Sequence, residues 1–306
     1  MPNTLMEIWP LAVIFVLGYL FHRFGLVKDR HSSLIFKTVF YVGLPFVVFL
    51  AINKIHFDQN FVYLALFPPI IILSTVGVAL LLRNYLLGKV RAKTFAAMLA
   101  GAAIMNQSFL VPFVATSYGP DGLAQLMVID CFSLVTIFSL LYSIIAVIGR
   151  NKPRPSAIAI RVATAPTMWA MLAGIVFKLC GGSIPTSLMN IFSPMTLLVS
   201  LSLLFAIGTK FKARLPHPLL FLIQISLRFV LGVAIGICFV KLLGLHGLDA
   251  QIIILASAAP IGLNSITLSE VEKLDENYAV SAVIAALLIG LVATPFMVHF
   301  VSDTTW

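Results

Sequence analysis

Charged residues are scarce in this sequence, and no polar stretch is long enough to form a soluble domain. Of 306 residues only 10% are charged and 60% are hydrophobic, with a mean hydropathy of +1.07, whereas a soluble domain has about 25% charged and about 45–50% apolar residues. The cysteines Cys131, Cys180 and Cys238 all lie within apolar runs, which excludes a disulfide framework and a metal-ligand spacing. The composition therefore predicts an all-α integral membrane protein with no cofactor and no metal.

Sequence patterns of other function classes are also missing. The chain contains no H-E-x-x-H, no G-x-S-x-G and no phosphate-binding loop, which disfavours an enzyme. A catalytic role for Glu270 and Glu272 is the alternative, but their position at the end of an apolar run is more typical of a solvated surface. The net charge of +9 is spread between apolar runs rather than along one stripe, so we do not expect nucleic acid as a partner.

Ten apolar runs are long enough to cross a bilayer, for which a helix needs about 20 residues. The predicted spans lie near residues 5–26, 33–52, 61–82, 94–118, 121–149, 162–182, 187–208, 218–243, 250–272 and 278–301. Loops on one side of the membrane hold 16 of the 20 Lys and Arg residues. Because such loops are cytoplasmic, we expect a multi-pass protein of the plasma membrane, the inner membrane of a bacterium, with both termini extracytoplasmic.

The prolines indicate that the chain consists of two related halves. Prolines recur in spans one and six, two and seven, and four and nine: Pro10 and Pro166, Pro45 and Pro194, and Pro112 and Pro260. Pro45 and Pro112 are 67 residues apart in the first half, and Pro194 and Pro260 are 66 residues apart in the second half. Since each half has an odd number of spans, we predict inverted repeats at residues 1–149 and 162–306. A cytoplasmic linker, residues 150–161, joins them. Chance recurrence is the alternative, because proline is common in membrane helices.

Spans four and nine each bring an Asn and a Pro together at mid-membrane depth. Proline removes a backbone donor, and irregular backbone at that depth persists only where it faces protein or a water-filled cavity. Half-helix N-termini aimed at the midplane favour a carboxylate, and side-chain amides add donors. The candidate substrate-binding residues are Asn106, Gln107, Ser108, Pro112, Pro260, Asn264 and Ser265. The alternative is that each Asn bonds a neighbouring helix and each proline only kinks its own helix.

The whole chain resembles the auxin efflux carrier family, which includes plant auxin exporters and bacterial permeases for malate, malonate and similar acids. The matching stretches are Tyr-Val-Gly-Leu-Pro ending at Pro45, the segment from Asn106 to Pro112 followed by Tyr118-Gly119, Ser-Pro-Met-Thr at residues 193–196, and Ala-Pro-Ile-Gly-Leu-Asn at residues 259–264. The resemblance implies ten helices in two inverted five-helix repeats, with helices four and nine broken and crossing at a central anion site.

The resemblance further implies that helices one, two, six and seven are more static than the others, and it makes a homodimer an expectation. The chain departs from the family in span four, where glycines usually stand between the Asn and the Pro. Residues 107–111 here are Gln-Ser-Phe-Leu-Val. Gln107 or Ser108 is therefore an alternative for the role of Asn106.

Two charged residues lie well inside predicted spans. Asp130 is in span five and Arg228 is in span eight, and the helical rise of about 1.5 Å per residue places both within the hydrocarbon. Charges at such depth are rare and indicate function by default. Asp130 is a candidate proton-coupling group, and Arg228 is a candidate partner of Asp130 or of a substrate carboxylate. The alternative is a static Asp130–Arg228 ion pair that holds helices together.

These features predict a secondary active transporter of small organic anions, carboxylates such as malate, malonate or auxin-like acids. The substrate binds where spans four and nine cross, and transport proceeds by alternating access. A sodium-coupled symporter of the bile-acid type is an alternative, although the chain has few mid-membrane acids to hold sodium. An integral membrane enzyme and a ligand sensor are alternatives from other classes. The sequence leaves open whether a proton, a sodium ion or neither is coupled.

Overall fold

The structure, a computed structural model, is helical throughout the residues it describes, which are 2–53, 59–83, 90–149, 164, 166–209, 217–304 and 306. The helices are α1 (Pro2–Arg23), α2 (residues 29–52), α3 (Gln59–Leu81), α4 (Ala92–Ala103), α5 (residues 107–118), α6 (residues 120–148), α7 (Pro166–Leu179), α8 (Thr186–Thr209), α9 (Pro218–Leu243), α10 (Gly247–Ser257), α11 (Asn264–Val271) and α12 (Glu276–Asp303). Within these ranges no strand forms beyond one isolated bridge. The all-α prediction is confirmed, and the predicted linker lies outside the described residues.

The helices carry the apolar surface expected of a membrane protein. In the described part of the chain, four helical segments are long and apolar enough to cross a membrane: Phe61–Leu81, Gln107–Ile148, Pro218–Leu243 and Glu276–Asp303. Large apolar side chains such as Leu172, Val230 and Phe296 are exposed on the helix surfaces. A surface of this kind is unfavourable in water and is matched by lipid tails. The arrangement of ten spans in two inverted halves stays a prediction.

Gly119 divides the longest of these segments into α5 and α6. Its backbone has φ 63° and ψ −159°, a conformation that is essentially restricted to glycine, and Pro120 follows directly. Ser108 of α5 and Asp130 of α6 line the same cavity, although a straight helix would separate residues this far apart in sequence by roughly 33 Å at 1.5 Å per residue. The chain therefore turns back at Gly119, between the predicted spans four and five.

Helices α1, α2, α7 and α8 form one packed group, in which α1 lies along α8 and α2 lies along α7. Glycines allow the helix backbones to approach closely. A Cβ atom on Gly18 would overlap the carbonyl of Phe205, and a Cβ atom on Gly208 would overlap the carbonyl of Phe15. A Cβ atom on Gly174 of α7 would come within 3.1 Å of Ile52 in α2.

The remaining helices pack around the short helices α4, α5, α10 and α11. Helix α9 contacts α4 and α10, and α12 contacts α4, α10 and α11. Helix α3 packs against α6, where the rings of Phe61 and Phe132 lie 6.1 Å apart. Residues 94–103 of α4 are all buried. The buried core of the protein thus surrounds the place where these short helices begin and end.

Candidate functional site

The short helices are the halves of two interrupted helices, which cross at their interruptions. Residues 104–106 separate α4 from α5, and residues 258–263 separate α10 from α11. Met105 and Ile261 form an antiparallel bridge. The Asn106 N–H donates to the Pro260 carbonyl at 2.9 Å, and the Gly262 N–H donates to the Ile104 carbonyl at 2.9 Å. Backbone groups left free by each interruption are therefore satisfied by the other one, as burial requires.

The sequence explains the second interruption locally. Pro260 has no N–H to continue α10. A Cβ atom on Gly262 would lie 2.8 Å from the Met105 carbonyl oxygen, so only glycine permits this approach. Pro112, in contrast, lies buried within α5 and not in the unwound residues. The first interruption thus begins upstream of the Asn-to-Pro segment that the sequence singled out.

Asn106 builds the crossing. Its Oδ1 accepts a hydrogen bond from the Phe109 N–H at 3.2 Å, which caps α5. Its Nδ2 lies 3.5 Å from the Ile261 carbonyl oxygen on the other interrupted helix. The residue is only 4% exposed, and it is not among the residues that line the adjacent cavity. Both ends of its amide are therefore engaged within the protein.

Ser108 and Asn264 line a cavity of about 160 Å³ beside the crossing. They are the second residue of α5 and the first residue of α11, so two helix N-termini meet there. The other lining residues come from α2, from α6, from Thr164 and from the start of α7: Tyr41, Leu44, Asp130, Leu134, Phe138, Thr164, Pro166 and Thr167. The volume is roughly ten times the 10–15 Å³ that one water needs. We call this space the crossover cavity.

Gln107 and Ser265, the neighbours of these two residues, are turned into the protein. Gln107 is 1% exposed, its Nε2 lies 3.7 Å from the Met105 sulfur, and its Oε1 has no hydrogen-bond partner in the described structure. The Ser265 hydroxyl donates to the Gly262 carbonyl at 2.7 Å. Of the residues proposed from sequence, the structure brings Ser108, Asn264 and Asp130 to the cavity. It uses Asn106 and Pro260 in the crossing itself.

Arg228 does not pair with Asp130. Its Nη1 donates to the Ala102 carbonyl at 3.3 Å, and its Nη2 donates to the Ser257 carbonyl at 2.6 Å. The side chain is fully buried behind the crossing, whereas Asp130 lies at the crossover cavity. The ion pair considered from the sequence is therefore wrong for this structure.

Sequence reasoning missed two features around the site. The α-helical geometry gives way to a π turn at Val39–Gly43, at Ile137–Leu141 and at Ser226–Leu231. These turns carry Tyr41 and Phe138 of the cavity and Arg228, and π turns occur frequently at functional sites. A buried chain of hydrogen bonds was also missed: the Tyr278 hydroxyl donates to Gln224, which donates to the Met98 carbonyl. No residue type marks a π turn, so only the structure reveals it.

The two acidic residues near the end of α11 are not both exposed to solvent, as the sequence predicted they would be. Glu272 is buried and accepts a hydrogen bond from the Tyr142 hydroxyl at 2.6 Å, whereas Glu270 is exposed. The expected solvated pair is therefore wrong for Glu272, because α6 packs over it.

Comparison with known proteins gives matches along nearly the whole chain. A family profile described as membrane transport protein matches residues 3–298. An uncharacterized transporter of Methanocaldococcus jannaschii is 23% identical over 292 residues, which cover 91% of this chain and 92% of that protein. An uncharacterized transporter of Methanothermobacter thermautotrophicus is 25% identical over 294 residues, which cover 93% and 94%. The similarity is thus not confined to one motif.

Proposed function

The chain belongs to the membrane transport protein family, that of the auxin efflux carriers, and from this premise we propose that it is a secondary active transporter of small organic anions. It is a multi-pass membrane protein. The proposed substrates are carboxylates such as malate, malonate or auxin-like acids. The observation that carries the proposal is the crossover cavity, where the first turns of α5 and α11 meet at Ser108 and Asn264.

The chemistry of the crossover cavity suits a carboxylate. The first N–H groups of a helix lack partners within it, and the helix N-terminus carries about half a positive charge. Two such ends face one space. In α11 the Ser265 and Ile266 N–H groups already donate to the Gly262 and Leu263 carbonyls, so this end contributes its partial positive charge and the amide of Asn264, which can donate. Anions bind readily at helix N-termini. A site built from two helix N-termini therefore needs no arginine or lysine in contact with the substrate.

The position of the cavity supports alternating access. Tyr41 and Leu44 belong to the group of α1, α2, α7 and α8, whereas Ser108, Asp130 and Asn264 belong to the helices around the crossing. A site at the boundary between two groups of helices changes its exposure when one group moves past the other. We propose this movement, with the first group as the static one.

Helix packing also supports the proposed repeat of residues 1–149 and 162–306. An inverted repeat relates span one to span six and span two to span seven. It therefore relates the contact of α1 with α8 to the contact of α7 with α2, and both contacts are extensive. The ten spans, the cytoplasmic linker, the extracytoplasmic termini and the bacterial inner membrane remain part of this proposal, as does a homodimer.

We propose Asp130 as the coupling group. An ionised carboxyl in this cavity would repel a bound carboxylate strongly, because charges interact strongly where water is excluded. A proton on Asp130 removes this repulsion and supplies a donor. Of the described residues that line the cavity, Tyr41 is the other titratable one. Anion and proton are therefore expected to move together.

A binding screen tests the substrate class. The detergent-purified protein is heated with malate, malonate, lactate or indole-3-acetate, since a ligand that binds only the folded state adds about 2.7 kcal/mol of stability at 100 times its Kd. We expect at least one acid to raise the Tm and Asn264→Asp to abolish the effect by repulsion. Asn277→Asp, the same change in the first turn of α12, is the matched control. No shift with any acid, or a shift that Asn264→Asp retains, would refute the proposed site.

Flux into liposomes tests coupling and the competing functions. We expect an imposed pH gradient to drive uptake of the stabilising acid by the parent protein, and Asp130→Asn to transport without responding to that gradient. Dependence on a sodium gradient instead would favour the symporter of the bile-acid type. Binding without any flux would favour a ligand sensor, and consumption of the acid would favour an enzyme.

A further inference from the structure

Arg228 is a fully buried cation whose described partners are carbonyl oxygens. It donates from Nη1 to Ala102 and from Nη2 to Ser257, and its Nε has no hydrogen-bond partner in the described structure. The ion pairs found in the described ranges, Arg91–Asp275 and His299–Asp303, do not involve it. A buried charge without a counter-charge is costly. This cost indicates that the positive charge of Arg228 itself has a role.

The partners of Arg228 are the C-terminal ends of both interrupted helices. Ala102 lies in the last turn of α4, and Ser257 is the last residue of α10. Carbonyls in a last turn lack partners within their helix, and the helix end carries about half a negative charge. One guanidinium fork thus holds two such ends together, which the single ammonium of a lysine does less well.

The surrounding helices are shaped to admit this side chain. Gly232 lies four residues after Arg228 on α9, and a Cβ atom there would be 2.6 Å from Nη2 and 2.8 Å from the Ser257 carbonyl oxygen. A Cβ atom on Gly101 of α4 would overlap the amide of Gln224, which lies four residues before Arg228. The π turn Ser226–Leu231 contains Arg228. Glycines on both α4 and α9 therefore leave space for polar groups of α9.

The charges at the crossing add up differently with and without Arg228. Two helix N-termini, of α5 and α11, contribute about +0.5 each, and two C-termini, of α4 and α10, contribute about −0.5 each. These four contributions cancel when taken together. The unit charge of Arg228 lies at the two C-termini and offsets them. About one positive charge then remains at the N-termini, which face the crossover cavity. Asp130 in the same cavity leaves this charge in place when its carboxyl is protonated, as proposed for the anion-bound state.

We propose that Arg228 sets the preference of the crossover cavity for anions by neutralising the C-terminal ends of α4 and α10, without touching the substrate. This inference rests on the proposed function, since it concerns the same cavity. Arg228 is a specificity-determining and positioning residue. Its removal leaves the cavity with two helix N-termini and two uncompensated C-termini behind them. A neutral solute then binds as well as an anion of the same shape.

The test compares acids with their neutral amides in binding to purified protein. The probes are malonate with malonamide, lactate with lactamide, and indole-3-acetate with indole-3-acetamide. We expect the parent protein to prefer at least one acid over its amide and Arg228→Lys to keep this preference. Arg228→Gln retains donors for the carbonyls but no charge, and we expect its acid affinity to fall on the order of tenfold or more, with amide affinity unchanged.

A second pair of variants cancels the charge without removing the arginine. Ser257→Asp introduces a carboxylate on the residue whose backbone carbonyl accepts from Arg228, and Ser257→Asn is its neutral counterpart of the same shape. We expect Ser257→Asp to lose the preference for acid over amide and Ser257→Asn to keep it. This pair decides the question if Arg228→Gln does not fold.

The outcomes separate the inference from the function on which it rests. Parent protein that binds none of the acids would overturn the proposed function and this inference with it. Parent protein that prefers acids, together with folded Arg228→Gln or Ser257→Asp that keep the same preference, would overturn the role of Arg228 alone. Equal losses in Ser257→Asp and Ser257→Asn would also overturn it, because shape rather than charge would then be responsible.

Discussion

The two interruptions reach the same crossing by different means. The second, residues 258–263, contains Pro260 and Gly262, which prevent a continuous helix and permit a close backbone approach. The first, residues 104–106, is Ile-Met-Asn and contains neither proline nor glycine. It is held by the Asn106 cap, by the bridge to Ile261 and by Arg228 behind α4. One interruption is therefore largely encoded locally, and the other depends on its partner.

The two asparagines also differ in what they do. Asn106 caps α5 and is nearly fully buried, whereas Asn264 is the first residue of α11, does not act as its cap and lines the crossover cavity. The two asparagines, one beside each interruption, therefore have different roles. Asn106 maintains the crossing, and Asn264 is available to a ligand.

The largest effect is expected for Gly262→Ala. The added Cβ would lie 2.8 Å from the Met105 carbonyl oxygen and 2.5 Å from a methyl group of Ile104, and such overpacking costs about 1–3 kcal/mol. Thermal unfolding in detergent measures the loss. Gly77→Ala is the control, because nothing lies within 4 Å of its added Cβ. Equal Tm values for the two variants would show that the two unwound segments can move apart without loss of stability.

Asn106→Ala is expected to have an intermediate effect on stability. It removes the acceptor for the Phe109 N–H, and loss of such a cap costs about 1 kcal/mol. Asn106→Ser retains a hydroxyl acceptor at the same position, so its Tm is expected to lie closer to that of the parent. If both variants unfold like the parent while ligand binding is lost, Asn106 contacts the substrate after all and the division of roles is wrong.

Asn264→Ala is expected to have the smallest effect on stability, within about 0.5 kcal/mol, because Asn264 provides no cap for α11. The ligand-induced rise in Tm is expected to shrink severalfold, since a donor at the cavity is gone. Comparing Tm with and without the stabilising acid separates the two quantities. A large loss of stability in the absence of ligand would make Asn264 structurally equivalent to Asn106.

Much of the fold was predictable because its cause is local. Apolar runs and their breakers predicted the helical membrane protein, and Pro260 marked the second interruption. The turn at Gly119 and Pro120 was predicted as the boundary of two spans for the same reason. Pro112 misled the prediction of the first interruption, because α5 continues through this proline and loses only the backbone donor of that one residue.

The candidate site was predictable in part. Ser108, Asn264 and Asp130 were proposed from sequence and line one cavity. The partners of Arg228 were not predictable, because Ala102 and Ser257 take part through their carbonyls, which every residue possesses.

The sequence by itself determined that the chain is an all-helical membrane protein of a transporter family, because hydropathy and short motifs act along the chain. Only the tertiary structure decided which charged and polar groups meet. It places Asp130 at the crossover cavity and Arg228 behind the helix ends, although both are single charges within apolar runs. The physical reason is that contacts across the crossing join residues more than a hundred positions apart, and their pairing depends on how helices pack rather than on neighbours in sequence.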